Sequence, residues 1–326
     1  MPPELSIIIV NWNAGGLLQR CIETIVNSAP QVTYEVVVID NASQDQSLAL
    51  LRVNQAAANL LLNQQLRIVT NSENRGFGPA NNQGFALTNT PFVFLLNPDT
   101  EVPPGTIDTL MTTIRSDPRI GVCGPKIMNP DGSVQISVFH NPPRVWHTVL
   151  SNLKLYLVLP HRLRGELLLA DHWDHSRKRF VPMLSGAAML ARRKMIEQVG
   201  AFDERFQMYG EDNEWCLRLA QSGWKLMFDP AAIVLHHGGQ SASKRWSKPE
   251  RTRVQLEAGY AFQKQVLPRW RLIANQTANY LIISAQVAWR GLRGIHSPEL
   301  DLQKEVHREN FKRSLGMNAS DHYGKP

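Results

Sequence analysis

A chain of 326 residues, 43% hydrophobic and 19% charged with 21 Gly and 20 Pro, has the composition of a globular protein with a real core, which excludes disorder along its whole length. The length favours a large catalytic-sized domain plus an appendage, and no apolar run approaches the roughly 18–20 residues of a span, which excludes a polytopic membrane protein. The net charge of +7 is concentrated: residues 244–296 hold ten Lys/Arg against two acids, or +8, leaving −1 elsewhere. Such a block suits nucleic acid, an anionic membrane surface or an anionic acceptor.

The first hundred residues alternate strand and helix. Ser6–Val10 is a continuous apolar run, as in a strand buried on both faces. Leu17, Leu18, Cys21, Ile22, Ile25 and Val26 come next, at helical spacing. Tyr34–Ile39 is a second, β-branched run that ends at Asp40. Ser43 with Gln46 reads as a capping box opening one helix through to about Gln65. Leu66–Thr70 is a third strand, Pro79–Leu87 a helix and Phe92–Leu96 a fourth strand. Connections this short imply right-handed crossovers and a mainly parallel sheet.

Residues 142–181 show no period and stay unassigned. Beyond them Ser185–Leu190 reads as a small-residue strand and Lys194–Val199 as a short helix closed by Gly200. Gly210-Glu211-Asp212 opens a helix with Trp215, Leu219 and Ala220 inward and Gly223 at its C-terminal cap. Two further apolar runs, Lys225–Phe228 and Ala232–Leu235, end at His236-His237-Gly238-Gly239.

Ligands of open α/β sheets collect at the carboxyl ends of the strands. Those ends read Asn11-Trp12-Asn13, Asp40-Asn41, Asn71 to Gly78 and Asn97-Pro98-Asp99. One polar strand end is only a turn signal; four in register make a site. Gly76-Phe77-Gly78 is not a dinucleotide fingerprint, because Asn81 stands where the third glycine belongs, and no Walker-type lysine loop exists. Taken singly, each candidate has two readings. Asp99 is a turn aspartate, or a carboxylate ligand for a divalent cation that bridges a diphosphate. Asp40 is a turn acid, or an acceptor for a base or ribose donor. Glu211 and Asp212 complement a helix N-terminus, or one of them is a general base that the helix end lowers in pKa and keeps ionised. His236 is a buried structural histidine, or a metal ligand beside Asp99.

The ordered segments SIIIVNWNA (6–14), VVVIDNASQD (36–45), NRGFGPANNQG (74–84), LLNPDTEV (95–102), SGAAMLARR (185–193), VGAFDERFQMYGEDNEWCLRLAQSGW (199–224) and HHGGQS (236–241) resemble the family-two glycosyltransferases of GT-A fold. The similarity is strongest to their rhamnosyltransferase-like branch and covers about residues 5–241. The resemblance implies an α/β fold, a Rossmann-like, mixed but mainly parallel sheet flanked by helices. The catalytic domain is then 1–241, with a nucleotide-binding half over about 1–125 and an acceptor half over about 126–241. A basic, mainly helical extension occupies 242–326. The implied reaction is inverting transfer of a sugar, a deoxyhexose such as rhamnose, from a nucleoside-diphosphate-sugar to a hydroxyl of a glycan or lipid-linked acceptor in cell-surface polysaccharide synthesis. Carried over residue by residue, Asp40 contacts the pyrimidine base, and Asn74 and Gly76 line the donor cleft together with Asn11 and Asn97. Asp99, helped by His236, holds Mg2+ or Mn2+; Asp212 is the general base and Glu211 its neighbour. The chain departs from the family in one place. The metal motif has two acids flanking one residue, and Asn97-Pro98-Asp99 lacks the first, which removes a ribose or metal contact.

Two other classes fit parts of the pattern. A non-catalytic nucleotide-sugar-binding module needs the basic block but no acid at Asp212, and a nucleic-acid module would carry an RNA-binding signature that residues 244–296 lack. A sugar nucleotidyltransferase would carry a basic Gly-rich loop after the first strand, where this chain has no Lys or Arg before Arg20. In the extension, Leu272, Ile273, Leu281, Ile282, Ile283 and Val287 are bracketed by Trp270 with Arg269 and Arg271, and by Trp289 with Arg290 and Arg293. That is the pattern of an interfacial helix on an anionic membrane, with a packed helix as the competing reading. Cys21, Cys123 and Cys216 have no CxxC spacing, and the N-terminus lacks a basic flank before its short apolar run. The expectation is a cytoplasmic protein, peripheral on the inner face of the membrane, with no nucleic-acid partner.

Overall fold

The computed structural model describes residues 2–139, 142, 144–206, 208–238 and 245–317. They divide into two compact units, residues 1–139 with 175–241 and residues 140–174 with 242–326. The strands are β1 Leu5–Asn11, β2 Tyr34–Asp40, β3 Leu66–Thr70, β4 Phe92–Leu96, β5 Thr100–Glu101, β6 Ile120–Met128, β7 Arg179–Phe180, β8 Ala188–Arg192 and β9 Lys225–His236. The helices are α1 Gly16–Asn27, α2 Ser47–Arg52, α3 Gln55–Leu62, α4 Phe77–Leu87, α5 Thr106–Ser116, α6 Val145–Asn152, α7 His161–Leu168, α8 Arg193–Val199, α9 Glu211–Gln221, α10 Lys248–Val266, α11 Arg269–Leu292 and α12 Pro298–Ser314.

All strands of the first unit share one mixed sheet in the order β3-β2-β1-β4-β8-β6-β9-β5, with β7 on β9. The β3, β2, β1 and β4 strands are parallel, as are β6 and β9, while β8 runs antiparallel between β4 and β6. The continuous apolar runs reflect burial on both faces. Ile7, Ile9, Val36 and Val38 join the core that contains α1, α3 and α5, whereas Val10, Val37 and Ile39 pack with Ala80 of α4. The parallel half therefore presents all its carboxyl ends, Asn11, Asp40, Thr70 and Leu96, toward one edge.

Several elements differ from the sequence expectation. The helix expected from Ser43 to Gln65 is two helices, broken at Asn54, whose side chain accepts the Ala57 N–H and caps α3. Ser43 caps nothing; its hydroxyl accepts from the Asn11 amide and the Asn13 N–H. Ser185 and Gly186 form the loop ahead of β8. Ala220 lies on the exposed side of α9, and Cys216 takes the inward place beside Trp215 and Leu219. The two apolar runs after Gly223 are one strand, β9. It passes through Asp229 because Thr113 Oγ1 (2.5 Å), Lys178 Nζ (3.1 Å) and the Ala231 N–H satisfy that buried carboxylate. Helix α5 and strand β6 occupy a stretch to which the periodicity assigned nothing.

The second unit is helical, and residues 140–174, unassigned from sequence, belong to it. Helix α10 opens on a capping box between Ser247 and Glu250. Arg253 pairs with Glu305 (2.7 Å) and Glu309 (3.4 Å) of α12, so part of the +8 block is neutralised within the unit. In α11, Leu272, Ile282 and Ile283 are buried, and so cannot enter a bilayer as the sequence pattern suggested. Among the described residues no helix is long and apolar enough to cross a membrane.

Candidate active site

At the β1 and β2 ends, Asn11 donates to Asp40 Oδ1 (2.7 Å), Ser43 Oγ and Ser47 Oγ. The other Asp40 oxygen accepts the Ser43 N–H at 3.1 Å. Asp40 is only 1% exposed, so its carboxylate is committed to holding the loop 41–45 against β1. The next layer is a chain of amides. Asn71 donates to Asn41 Oδ1 (3.0 Å), and Asn41 donates to Asn74 Oδ1 (3.2 Å) and to the Gly76 carbonyl (3.0 Å). Asn74 in turn accepts the Gly76 N–H. Gly76 precedes α4 at φ 90°, a left-handed conformation that a side chain would strain.

The metal candidates meet through register. The β5 strand pairs antiparallel with β9, setting Thr100 opposite His236, and the His237 N–H donates to the Asp99 carbonyl. His236 Nε2 then lies 3.2 Å from Asp99 Oδ1 and 3.3 Å from the Asn97 amide nitrogen. On its far side, His236 Nδ1 is 2.6 Å from Gln135 Oε1, and Gln135 Nε2 donates to Asn129 Oδ1 (3.0 Å). The Asn129 contact orients the Gln135 amide with its oxygen toward the ring, so Nδ1 carries a proton and Nε2 is the nitrogen left facing Asp99. With the ring neutral, Nε2 and Asp99 Oδ1, 3.2 Å apart, are two ligand atoms that one cation could share. The donor set, one carboxylate and one imidazole with its second nitrogen anchored, could hold Mn2+, whereas Mg2+ would draw on the Asp99 oxygen and leave the imidazole a poor ligand. Among the described residues no group of three or more His, Cys, Asp or Glu converges, in keeping with Asn97 at the first motif position. His237 is engaged elsewhere, with Glu101 at 2.7 Å, which Arg20 also holds at 2.7 Å.

Asp212 sits at the start of α9, delivered by Gly210 at φ 103°. Its Oδ2 accepts the Gly186 N–H (3.2 Å) and its Oδ1 the Asn213 N–H (2.9 Å). The same short loop bonds back to the metal motif, because the Asn97 N–H donates to the Ala187 carbonyl at 3.0 Å. Residues 185–187 therefore hold Asn97 on one side and Asp212 on the other. Below, Phe202 contacts Trp215 (centroids 4.6 Å), Phe85 and Phe77, and the Trp215 N–H donates to the Gly200 carbonyl, which fixes the tilt of α9.

The electrostatics reverse one expectation. A helix N-terminus lowers a carboxyl pKa, yet burial raises that of Asp212 despite its N–H bonds to Gly186 and Asn213. Glu211 is also pushed up, from 4.5 to about 8, by burial first and by the neighbouring Asp212 charge second. Its Oε2 is buried with no hydrogen-bond partner. Folded Glu211 thus keeps its proton where the unfolded chain has lost it, so stability is fully present below pH 4.5 and lost as pH climbs toward 8. Glu211→Gln mimics the protonated form and is expected to stabilise the protein at pH 9, by on the order of 1–3 kcal/mol, but not at pH 4. Melting temperatures of both proteins from pH 4 to 9 check this; a constant gap would mean that Glu211 titrates normally.

The structure gathers all nine sequence candidates at one edge of the first unit: Asn11, Asp40, Asn74 and Gly76 in one cluster, Asn97, Asp99 and His236 in a second, Glu211 and Asp212 in a third. Sequence reasoning passed over Gln135, which lies in an irregular segment after β6 without a motif, and treated Ser43 as a cap.

Residues 6–200 match the family described as Glycosyl transferase family 2. The chain is 31% identical over 258 residues to the N-acetylglucosaminyl-diphospho-decaprenol L-rhamnosyltransferase of Mycobacterium tuberculosis, covering 75% of this chain and 79% of that one. It is 25% identical to the O-antigen biosynthesis protein RfbC of Myxococcus xanthus over 74% of its own length but only 18% of that protein. Among solved structures it resembles a mannosyltransferase from Pyrobaculum calidifontis in complex with GDP-Man and Mn2+, with a TM-score of 0.57 and 16% identity over 97% of this chain and 87% of that one. GalNAc-T7 with UDP, GalNAc and Mn2+ gives the same TM-score at 19% identity, over 99% of this chain and 58% of that one. These likenesses establish the GT-A architecture.

Proposed function

Because the chain belongs to glycosyl transferase family 2 and is a glycosyltransferase of glycan biosynthesis, we propose that it transfers a deoxyhexose, with inversion, from a pyrimidine nucleoside-diphosphate-sugar to a hydroxyl of a lipid-linked glycan. The observation that carries this reading is the loop 185–187, which bonds both to Asn97 of the metal motif and to Asp212. It sets a site for the leaving diphosphate and a base for the incoming hydroxyl on either side of one backbone turn.

The residues divide the work. Asn41, Asn74 and Gly76 frame the nucleoside, and Asp40 acts on it through the loop it anchors. Asp99 and Nε2 of His236 would hold Mn2+, which supplies Lewis-acid stabilisation of the charge that builds on the diphosphate. Asp212 accepts the proton of the acceptor hydroxyl as that oxygen attacks the anomeric carbon. The raised pKa makes Asp212 a stronger base than an ordinary carboxylate, and the Gly186 and Asn213 N–H groups fix its direction. One base and one displacement, with no enzyme nucleophile, give inversion. The deoxyhexose and the lipid diphosphate are taken from the M. tuberculosis relative, whose name specifies an L-rhamnosyltransferase and a decaprenol-linked acceptor.

The test is incubation of the full chain with Mn2+, a panel of nucleoside-diphosphate-sugars and a polyprenyl-diphosphate-linked N-acetylglucosamine. Mass spectrometry should show one added deoxyhexose, and NMR an inverted anomeric centre. A retained anomeric configuration would overturn the mechanism, and release of pyrophosphate would identify a nucleotidyltransferase instead.

A further inference from the structure

The helical unit carries an exposed apolar tip that the reaction does not use. After α6, Leu153, Leu155, Leu157 and Val158 are all exposed, Val158 at 84%, and Leu163 stands just beyond in α7. An isolated exposed leucine needs no explanation, but five within eleven residues do. Several backbone groups at this tip are satisfied from within it. The Leu157 N–H donates to the Lys154 carbonyl, Leu159 to Tyr156 and Leu163 to Pro160. Arg164 then donates to two more carbonyls, Nε to Leu159 and Nη2 to Leu157, each at 2.7 Å. Each carbonyl capped from within lowers the cost of bringing the turn into the acyl boundary.

The tip is tied to α11. Gln286 donates to the Asn152 carbonyl (2.7 Å) and Asn152 to Asn279 Oδ1 (3.3 Å), so the chain leaves α6 beside the C-terminal half of that helix. One turn beyond Gln286 stands Trp289, 57% exposed, with the Arg293 guanidinium over its ring at 4.5 Å; Leu292 and Ile295 are also exposed. Lys154, Arg290 and Arg293 are exposed here, and the nearest acids along the chain are Glu166 and Glu299, the second of which pairs with Lys248 at 3.8 Å.

We propose that Leu153–Leu163, with the Trp289–Ile295 end of α11, is a membrane-docking surface by which the helical unit seats on an anionic leaflet. Apolar side chains enter the acyl boundary, while Trp289 and the flanking cations lie at headgroup level. A second copy of this face is the poorer occupant, because it would bring cation against cation. The inference rests on the proposed lipid-linked acceptor only for why a bilayer is the partner.

Flotation of the full chain with phosphatidylethanolamine–phosphatidylglycerol vesicles, without donor or acceptor, tests it. Wild type should float at low salt and less so at high salt, and Leu157→Asp/Val158→Asp should lower partitioning by about tenfold or more. Both side chains are exposed, so the variant should keep the wild-type melting temperature and its transfer rate to a water-soluble acceptor. Trp289→Ala should weaken flotation in the same direction. Wild type that fails to float, a tip variant that floats like wild type, or a wild-type dimer that the tip variant converts to monomer would each overturn the proposal. Because flotation requires no catalysis and the soluble-acceptor assay no membrane, failure of the docking reading is distinguishable from failure of the proposed reaction.

Discussion

Asp212→Asn is expected to lower turnover by at least ~100-fold, the scale of losing a general base, while donor affinity stays within about twofold. The amide keeps the shape of the carboxylate and its one oxygen can still accept the Gly186 N–H, at the loss of the Asn213 N–H bond, so α9 should keep its place. It also loses the ability to take a proton. Burial raises the Asp212 pKa, which makes the native group a better base and sharpens the contrast with the amide. Steady-state kinetics with saturating acceptor, together with calorimetric titration of the nucleoside diphosphate, separate the two effects. Near wild-type turnover in the variant would move the catalytic role, and Glu211, adjacent and holding a partnerless buried oxygen, would be the next residue to replace.

Asp99→Ala should abolish the metal-dependent part of nucleoside-diphosphate binding, weakening affinity in Mn2+ by about tenfold or more and leaving the chelator-treated affinity unchanged. His236→Ala should act in the same direction with a smaller effect, because a carboxylate supplies charge that a neutral imidazole does not. The structural reason is the 3.2 Å approach of Asp99 Oδ1 to His236 Nε2, with the ring anchored from behind by Gln135. Calorimetry of the diphosphate with Mn2+ and with excess chelator is the check. Equal affinity of the wild-type protein under the two conditions would remove the cation from the mechanism.

Much of the fold was legible because its physics is local. The runs at Ser6–Val10, Tyr34–Ile39 and Phe92–Leu96 must be strands covered on both faces, and the chain must turn toward solvent at the end of each, so Asn11, Asp40 and Asn97 were found as strand ends. The helix opening at Gly210 was equally plain. The errors share a cause. Ser43 and Gln46 have the spacing of a capping box, but Ser43 is a better partner for Asn11, a residue from another strand, and propensity does not register that competition. Ala220 has the spacing of an inward residue, yet the inward face of α9 is set by where Phe202 and Trp215 pack. Residues 142–181 offered no period because their helices, α6 and α7, run only about two turns each and are joined by irregular stretches.

Sequence alone determined which residue types end the strands, where the sheet alternates with helices, and that acids stand at Asp99, Glu211 and Asp212. Tertiary structure decided how those acids combine. Asp99 meets His236 only through the β5–β9 ladder, and Asp212 joins the metal motif only through the 185–187 loop. The orientation of the His236 ring depends on Gln135, 101 residues away, and the upward pKa shift of Asp212 depends on burial. Hydrophobic period and turn chemistry act over a few residues, so they are written in the chain; distances between side chains and the dielectric around a carboxylate exist only once the sheet has closed.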